Sequence, residues 1–491
     1  MNETLKALLK DLPPSQHPLA QLHDPATIRA RCAEIVKSVD AGVSPNFSID
    51  RSRLDAVADR VAALTLRRFP DLVIPYHSRW RHFEAGGVDR KAEMDAALSG
   101  RSAADVARAR FDLTVVSVLL DAGAGPSWHY VEHRKLPSAA LPQAAPDELL
   151  AMLDQSARRT APPSAPAAAP DAAAALAEAS PAQPPAADPA LAQSGTYSRS
   201  EGLGVASFRA FMAGAFSSKS GEPWRADATA LRQVDATALR AMFQSSNSNP
   251  MVGMEGRAAL LSRMGTVLQH EAQLSGHEAR PGLIYDRLTA NGVRTTVSAS
   301  QVLGEVLRTL SGIWPSGSKV QGLPAGDVWP HRWAGAAVGA AGGIDGAASD
   351  RTTDGWVPFH KLSQWMSYSL LEPLQWAGVQ VTGLDALTGL PEYRNGGLLI
   401  DAGVIVPRNA RLLARTWKLQ DEFIIEWRAL TVVLLDELAV RVRQRLGRTA
   451  EQLPLACILE GGTWAAGREI ARELRADGAP PLRIESDGTV F

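Results

Sequence analysis

The sequence predicts a mainly α fold: one multi-helical domain with little β, interrupted by a long Ala/Pro-rich insert. Three observations predict it. Apolar residues recur at three- and four-residue spacing in segment after segment. Strand character is confined to the tail PPLRIESDGTVF. Between Pro137 and Gln193 the composition collapses to Ala and Pro with scattered Asp and Ser, which cannot bury a core. Neither flank looks complete alone. Segments 1–136 and 196–491 are therefore expected to share one helical domain, the second carrying the active site, with residues 137–195 a disordered insert.

In order, Pro25 to Val39 reads as a helix with Ile28, Ala33, Ile35 and Val36 apolar. Ser52 to Phe69 carries a stripe of Leu54, Val57, Val61, Leu64 and Leu66, and Pro70 stops it. PYHSRWRHFEAGGVDR, from Pro75 to Arg90, concentrates His77, Arg79, Trp80, Arg81 and His82 ahead of a Gly-Gly turn. It is a second pocket candidate beside the plainer reading of a hydrogen-bonded loop. Ala103 to Ala122 is apolar nearly all round in its second half, so it is expected to be central. Its carboxylates Asp112 and Asp121 then need partners or a function. Helices are further expected at Gly202–Ala215, Thr229–Phe243, Arg257–Leu274, Val297–Leu310 and Asp421–Arg445. Gly312 to Asp350 reads as a covering loop. Gly461, Gly462 and Thr463 read as the entry to a last helix, whose amides could hold an anion.

Hydrophobic residues make up 45% and charged residues 21% of 491, with formal net charge −1. No clustered basic face suggests nucleic acid or a membrane surface. Cys32 and Cys457 make no disulfide framework, which fits a reducing, cytoplasmic setting. MNETLKALLKDLPP lacks the apolar core of a signal peptide, and no apolar run is long enough to span a bilayer.

Neither a nucleophile elbow nor a Walker or dinucleotide fingerprint occurs. His129, Glu132 and His133 spell H-x-x-E-H, an inverted zinc-peptidase pattern. The proline and the insert that follow are the wrong context, so no metal and no cofactor is expected. The stretch Asp354 to Gly403 stands out instead. It sets Trp356, Trp365, Trp376, Lys361, Asp385, Glu392, Arg394 and Asp401 among apolar residues. Flat apolar walls with a few charges suit a small polar molecule bearing a sugar or phosphate.

HFEAGGVDR, FDLTVVSVLLDAGAGPSWHY, LTGLPEYRNGGLLIDAGV, EWRALTVVLLDEL and LEGGTWAAGREIA together resemble the uracil catabolism protein four family, over nearly the whole chain except the insert. That resemblance implies a place in pyrimidine degradation. More distantly, the same motifs in the same order are similar to the queuosine-nucleotide N-glycosidase (queuosine salvage) family, a helical fold related to DNA glycosylases that cleaves a base from ribose 5-phosphate. Phe359-His360-Lys361-Leu362-Ser363-Gln364, Leu387 to Arg394 and Glu426-Trp427-Arg428-Ala429 carry the likeness, and Asp121 to Trp128 aligns loosely. Glu392 stands where that family has Asp.

By this carry-over Glu392 is the carboxylate facing the anomeric carbon, with Asp385 the second catalytic candidate, which the Asp preference for helix caps also explains. Lys361 contacts phosphate or ribose. Gln364, Tyr393, Arg394, Trp128, His129, Trp356, Asp121 and Arg428 complete the binding candidates. The expected activity is metal-independent hydrolysis of the N-ribosyl bond of a pyrimidine-derived or ring-opened ribonucleotide. The alternatives are a non-catalytic binding or channelling partner of a ring-opening enzyme, in contact with other uracil-catabolism enzymes, and an amidohydrolase acting on the opened ring.

Overall fold

A computed structural model describes residues 19–121, 123–125, 127–132, 195–314, 318–320, 322–335 and 353–485. The Ala/Pro insert, His133, the first residues of the chain and the Gly/Ala segment after Gly335 lie outside the described residues. What is described is mainly helical. The helices are α1 (Pro25–Asp40), α2 (Leu54–Arg68), α3 (Arg79–Phe83), α4 (Arg90–Ala97), α5 (Ala103–Leu119), α6 (Arg199–Met212), α7 (Ala228–Gln233) and α8 (Ala236–Met242). They continue as α9 (Met254–Ser275), α10 (Leu283–Thr289), α11 (Ala299–Leu310), α12 (Lys361–Trp376), α13 (Tyr393–Asp401), α14 (Glu422–Leu446), α15 (Leu455–Ile458) and α16 (Trp464–Leu474). Strands among the described residues come only in two-stranded pairs. Phe47–Ile49 pairs antiparallel with Ile405–Pro407, and Thr296–Ser298 pairs parallel with Gln380–Thr382.

Three helices are buried on nearly every face: α5, α12 and α14. Such helices belong in a core. α12 packs against α5 and α11, α14 against α1 and α2, and α13 against α16. One hydrophobic cluster runs from Ile28 to Leu482 through all of them.

Local chemistry sets the boundaries. Asp24 caps α1 through the Ala26 amide at 2.9 Å, with Pro25 in the first turn. Ser298 and Gln301 form a reciprocal capping box on α11. Gly447 closes α14 in a left-handed conformation. The single helix expected over Thr229–Phe243 is two, because Asp235 accepts from the Ala238 amide at 2.7 Å and starts a new one.

Two further expectations are corrected. Gly461 to Thr463 is not a free helix entry. It lies in a π turn, Leu459–Thr463, that joins α15 to α16, and a side chain at Gly462 would collide with Val61 and Thr65. Asp385 caps no helix into LTGLPEYR. It sits in a 3-10 turn, Leu384–Ala386, and binds Arg443 (3.2 Å) and the Leu455 amide (3.1 Å).

Candidate functional site

The first turn of α12 is built on Asp327, from the stretch read as a covering loop. Asp327 takes both ends of the Arg428 guanidinium at 2.8 and 2.7 Å, the Trp329 indole at 2.7 Å and the Lys361 amide at 3.0 Å. Burial alone would raise its pKa. Arg428 outweighs that and holds the carboxyl well below the usual range. Arg428 also lies 4.1 Å over the Phe359 ring. His360, left-handed at φ 47°, turns the chain into the helix, and its Nε2 meets the Leu22 carbonyl at 2.9 Å.

Gln364 joins this turn to the next motif. Its Oε1 accepts from the Thr388 amide at 2.9 Å, and its amide nitrogen reaches the Thr388 hydroxyl. A few residues on, Glu392 caps α13, accepting from the Arg394 and Asn395 amides at 2.8 and 2.7 Å. Both oxygens are thereby fixed, and each keeps a lone pair. Asn395 Oδ1 accepts from the Thr463 hydroxyl at 2.8 Å, tying α13 to the π turn. Gly467 lets α16 lie against the Arg394 backbone, where a Cβ would be closer than van der Waals contact.

Lys361 and Glu392 are brought within electrostatic reach across these two helix starts. Burial lowers the Lys361 pKa, and Glu392, Asp121 and Asp327 oppose the shift. From Lys361 a circuit of charges closes on itself. Glu392 acts on Arg394, and Arg394 on Arg468. Arg468 binds Glu201 at 3.1 Å, and Glu201 acts on Arg79. Arg79 binds Asp121 at 2.7 Å, and Asp121 acts on Lys361. The circuit holds four cations and three carboxylates. Arg199 and Arg472 press on Arg394 from beyond it, and with burial they lower its pKa. Arg199 itself is left-handed at φ 54°. A surplus of cations on converging helix starts favours an anionic ligand. Trp464, capped by Arg468 at 4.8 Å, lies beside it.

Two open cavities among the described residues lie elsewhere. One, about 440 Å³, is lined by Arg108, Arg225, Arg280 and Asp286, and another, about 710 Å³, by Glu271, Arg287, Glu305 and Arg308. Their charges neutralise one another, as Arg108–Asp286 at 3.0 Å and Arg287–Glu271 at 2.9 Å show. The circuit differs from both in holding one cation more than its carboxylates, and it is the candidate site.

A family described as protein of unknown function (DUF1688) matches residues 21–140 and 187–491. This chain belongs to that family. It is 32% identical over 485 residues to Protein urg3 of Schizosaccharomyces pombe, covering 97% of this chain and 100% of that protein. It is 31% identical over 504 residues to Uracil catabolism protein 4 of Lachancea kluyveri, with 97% and 99% covered. All seven residues of the circuit fall inside the family match.

The structure brings together Lys361, Glu392, Arg394 and Asp121. Tyr393 follows Glu392, and its hydroxyl is pushed up to about 12 by burial and by that carboxylate. Arg428 lies beneath, on Asp327, and Gln364 is spent on Thr388. The remaining candidates are placed apart. Trp128 is buried, donating its indole N–H to the Phe243 carbonyl at 2.9 Å. His129 is exposed on the strand His129–Glu132, which pairs antiparallel with Gly195–Ser198. Trp356 packs on the small cluster around Leu22, and Asp385 is held by Arg443. Of the zinc-like pattern, Glu132 is buried between Arg90 and Arg209. Among the described residues no group of metal-ligating side chains is assembled, and no helix is long and apolar enough to cross a membrane.

Sequence reasoning missed Asp327, Glu201, Arg468 and Trp464. Arg79 and His82 were signalled only as part of the dense PYHSRWRHFEAGGVDR stretch. Its helix α3 is docked on α12 by the Arg79 amide to the Ser369 hydroxyl (2.8 Å) and the Trp80 indole to the Ser369 carbonyl (3.1 Å).

Proposed function

We propose that this chain hydrolyses the N-ribosyl bond of a pyrimidine-derived or ring-opened ribonucleotide in uracil catabolism. The observation that carries the reading is Glu392 set beside Lys361 within a cation-rich circuit. The relative named Uracil catabolism protein 4 supplies the pathway, and the motif likeness to N-glycosidases supplies the bond and the kinship with helical DNA-glycosylase-like folds.

Breaking C1′–N leaves positive charge on the sugar, and a fixed carboxylate facing C1′ stabilises it. Glu392 is that carboxylate. Its two amide bonds hold it in place, so little reorganisation accompanies the charge that develops. Water adds to C1′, the bond pair leaves with nitrogen, and a proton from the water ends on that nitrogen. Lys361 and Asp121 hold the ribose hydroxyls. Arg394 and Arg468, with Arg199 beyond, take the 5′-phosphate, whose binding orients the sugar. The products are ribose 5-phosphate and a urea-type or pyrimidine compound.

The test is incubation of the purified chain with UMP, uridine, and ribosylurea with and without its phosphate, reading free ribose 5-phosphate or ribose. Release from a phosphorylated substrate is expected. Binding of all four without product from any contradicts the reading.

A further inference from the structure

We propose that Arg79, His82 and Trp365 form a subsite for an uncharged, planar amide-type group, the ureido or imide portion of the leaving group. For its place beside the scissile bond this rests on the N-ribosyl reading above.

Arg79 Nη2, His82 Nδ1 and Trp365 Nε1 are buried and make no hydrogen bond. The three residues are 0%, 8% and 7% exposed. They are also mutual neighbours. The Arg79 guanidinium carbon lies 5.7 Å from the Trp365 ring centre, and the His82 ring meets Trp365 edge-on at 5.8 Å. A buried polar atom without a hydrogen bond is costly, so three together call for a partner.

The chemistry of the three selects that partner. Arg79 Nη2 and the Trp365 indole can only donate. His82 is neutral, since burial and the adjacent Arg79 push its pKa down to about 3. It can accept an N–H at Nδ1 when the proton sits on Nε2. Two donors beside one acceptor match a C=O next to an N–H, the edge of a urea or an imide. A full anion is disfavoured, because Arg79 is already paired with Asp121 at 2.7 Å and faces Glu201. A cation is disfavoured by Arg79 itself. Asp121 connects this trio to Lys361, which joins the subsite to the proposed ribose contacts.

The experiment is calorimetric titration of the full chain with three probes separately: uracil, N-methylurea and ribose 5-phosphate. Trp365→Phe keeps the ring and removes only the N–H. Its expected effect is about tenfold weaker binding of uracil or N-methylurea, with ribose 5-phosphate affinity unchanged. His82→Gln, tested alongside in case Trp365→Phe fails to fold, should weaken the same two probes and spare the third. The proposal is overturned if neither probe binds the wild-type chain. It is also overturned if both variants bind them as tightly as wild type and lose only thermal stability, which is the signature of a trio bridged by buried water. Failure of the N-ribosyl reading shows separately, as probe binding that depends on Trp365 without any release of ribose 5-phosphate.

Discussion

Two buried arginine–aspartate pairs stand close together and are built differently. Arg428 and Asp327 grip each other through two parallel bonds, and Asp327 also takes the Trp329 indole and the Lys361 amide. Arg79 and Asp121 share one bond of 2.7 Å. The rest of Arg79 goes to the Ser117 hydroxyl and the Ser200 carbonyl, and Nη2 goes to nothing. The first pair is locked by two parallel bonds and holds up a helix start. The second is left open where charge from six elements converges. The number of bonds joining the partners, more than burial or residue type, separates scaffold from site here: two lock Arg428 to Asp327, and one joins Arg79 to Asp121.

The comparison breaks if the first pair proves dispensable. Asp327→Ala removes both bonds that a carboxylate makes to the buried Arg428 guanidinium, and about 3–5 kcal/mol of stability should be lost in denaturant unfolding. The second region should fail differently. Glu392→Gln should cut turnover about 100-fold or more, the scale of losing one preorganised electrostatic group, while unfolding shifts by about 1 kcal/mol or less, the cost of a weakened cap. Gly467→Ala sharpens the link between packing and site. The added methyl pushes on the Arg394 backbone, so a loss of about 1–3 kcal/mol is expected, with ribose 5-phosphate bound more weakly.

Acid should probe the open region selectively. His82 has a folded pKa of about 3, below its unfolded value. The unfolded chain therefore binds more protons between about 6.5 and 3, and stability falls as pH falls through that window. By pH 5.5 the loss from this residue should be about 1 kcal/mol. His331, also lowered by burial, to about 4, adds a similar slope. Unfolding of His82→Gln followed from pH 7 to 5 should be shallower than wild type by about one proton. An unchanged slope would place His82 in contact with solvent. Smallest of all, His129→Ala at its exposed strand position should leave stability within about 0.5 kcal/mol and turnover unaltered.

Helices with a continuous stripe, such as Leu54, Val57, Val61 and Leu64 on α2, were legible because burial on one face repeats every turn, whereas Leu66, read into the same stripe, is exposed. The all-apolar second half of α5 was legible as core, and the pairing of its carboxylates followed: Asp112 with Arg280 at 2.6 Å, Asp121 with Arg79. Asp235 was not legible as a helix break, since Asp is tolerated within helices and only its bond to the Ala238 amide decides. Nor was the π turn at Leu459–Thr463, which keeps a helical pattern on both sides. Asp327 stands 101 residues from the arginine it holds, in a Gly- and Trp-rich stretch without periodicity. Glu201 and Arg468 look like ordinary charges on amphipathic helices, and only the third dimension sets them beside Arg79 and Arg394. The stretch holding Lys361, Glu392 and Arg394 stood out because a lysine, a carboxylate and an arginine among tryptophans is an unusual composition, and the roles proposed for them came from the resemblance to N-glycosidases. Trp356 and Asp385 share that composition and serve packing and a staple instead.

The central claim is that Glu392, held at the start of α13 beside Lys361, does chemistry on a ribosyl bond. The most direct measurement is release of ribose 5-phosphate from ring-opened UMP by wild type and Glu392→Gln, both confirmed folded by thermal unfolding. Release by wild type and near-complete loss in the variant is the predicted result. Equal release by both would contradict it.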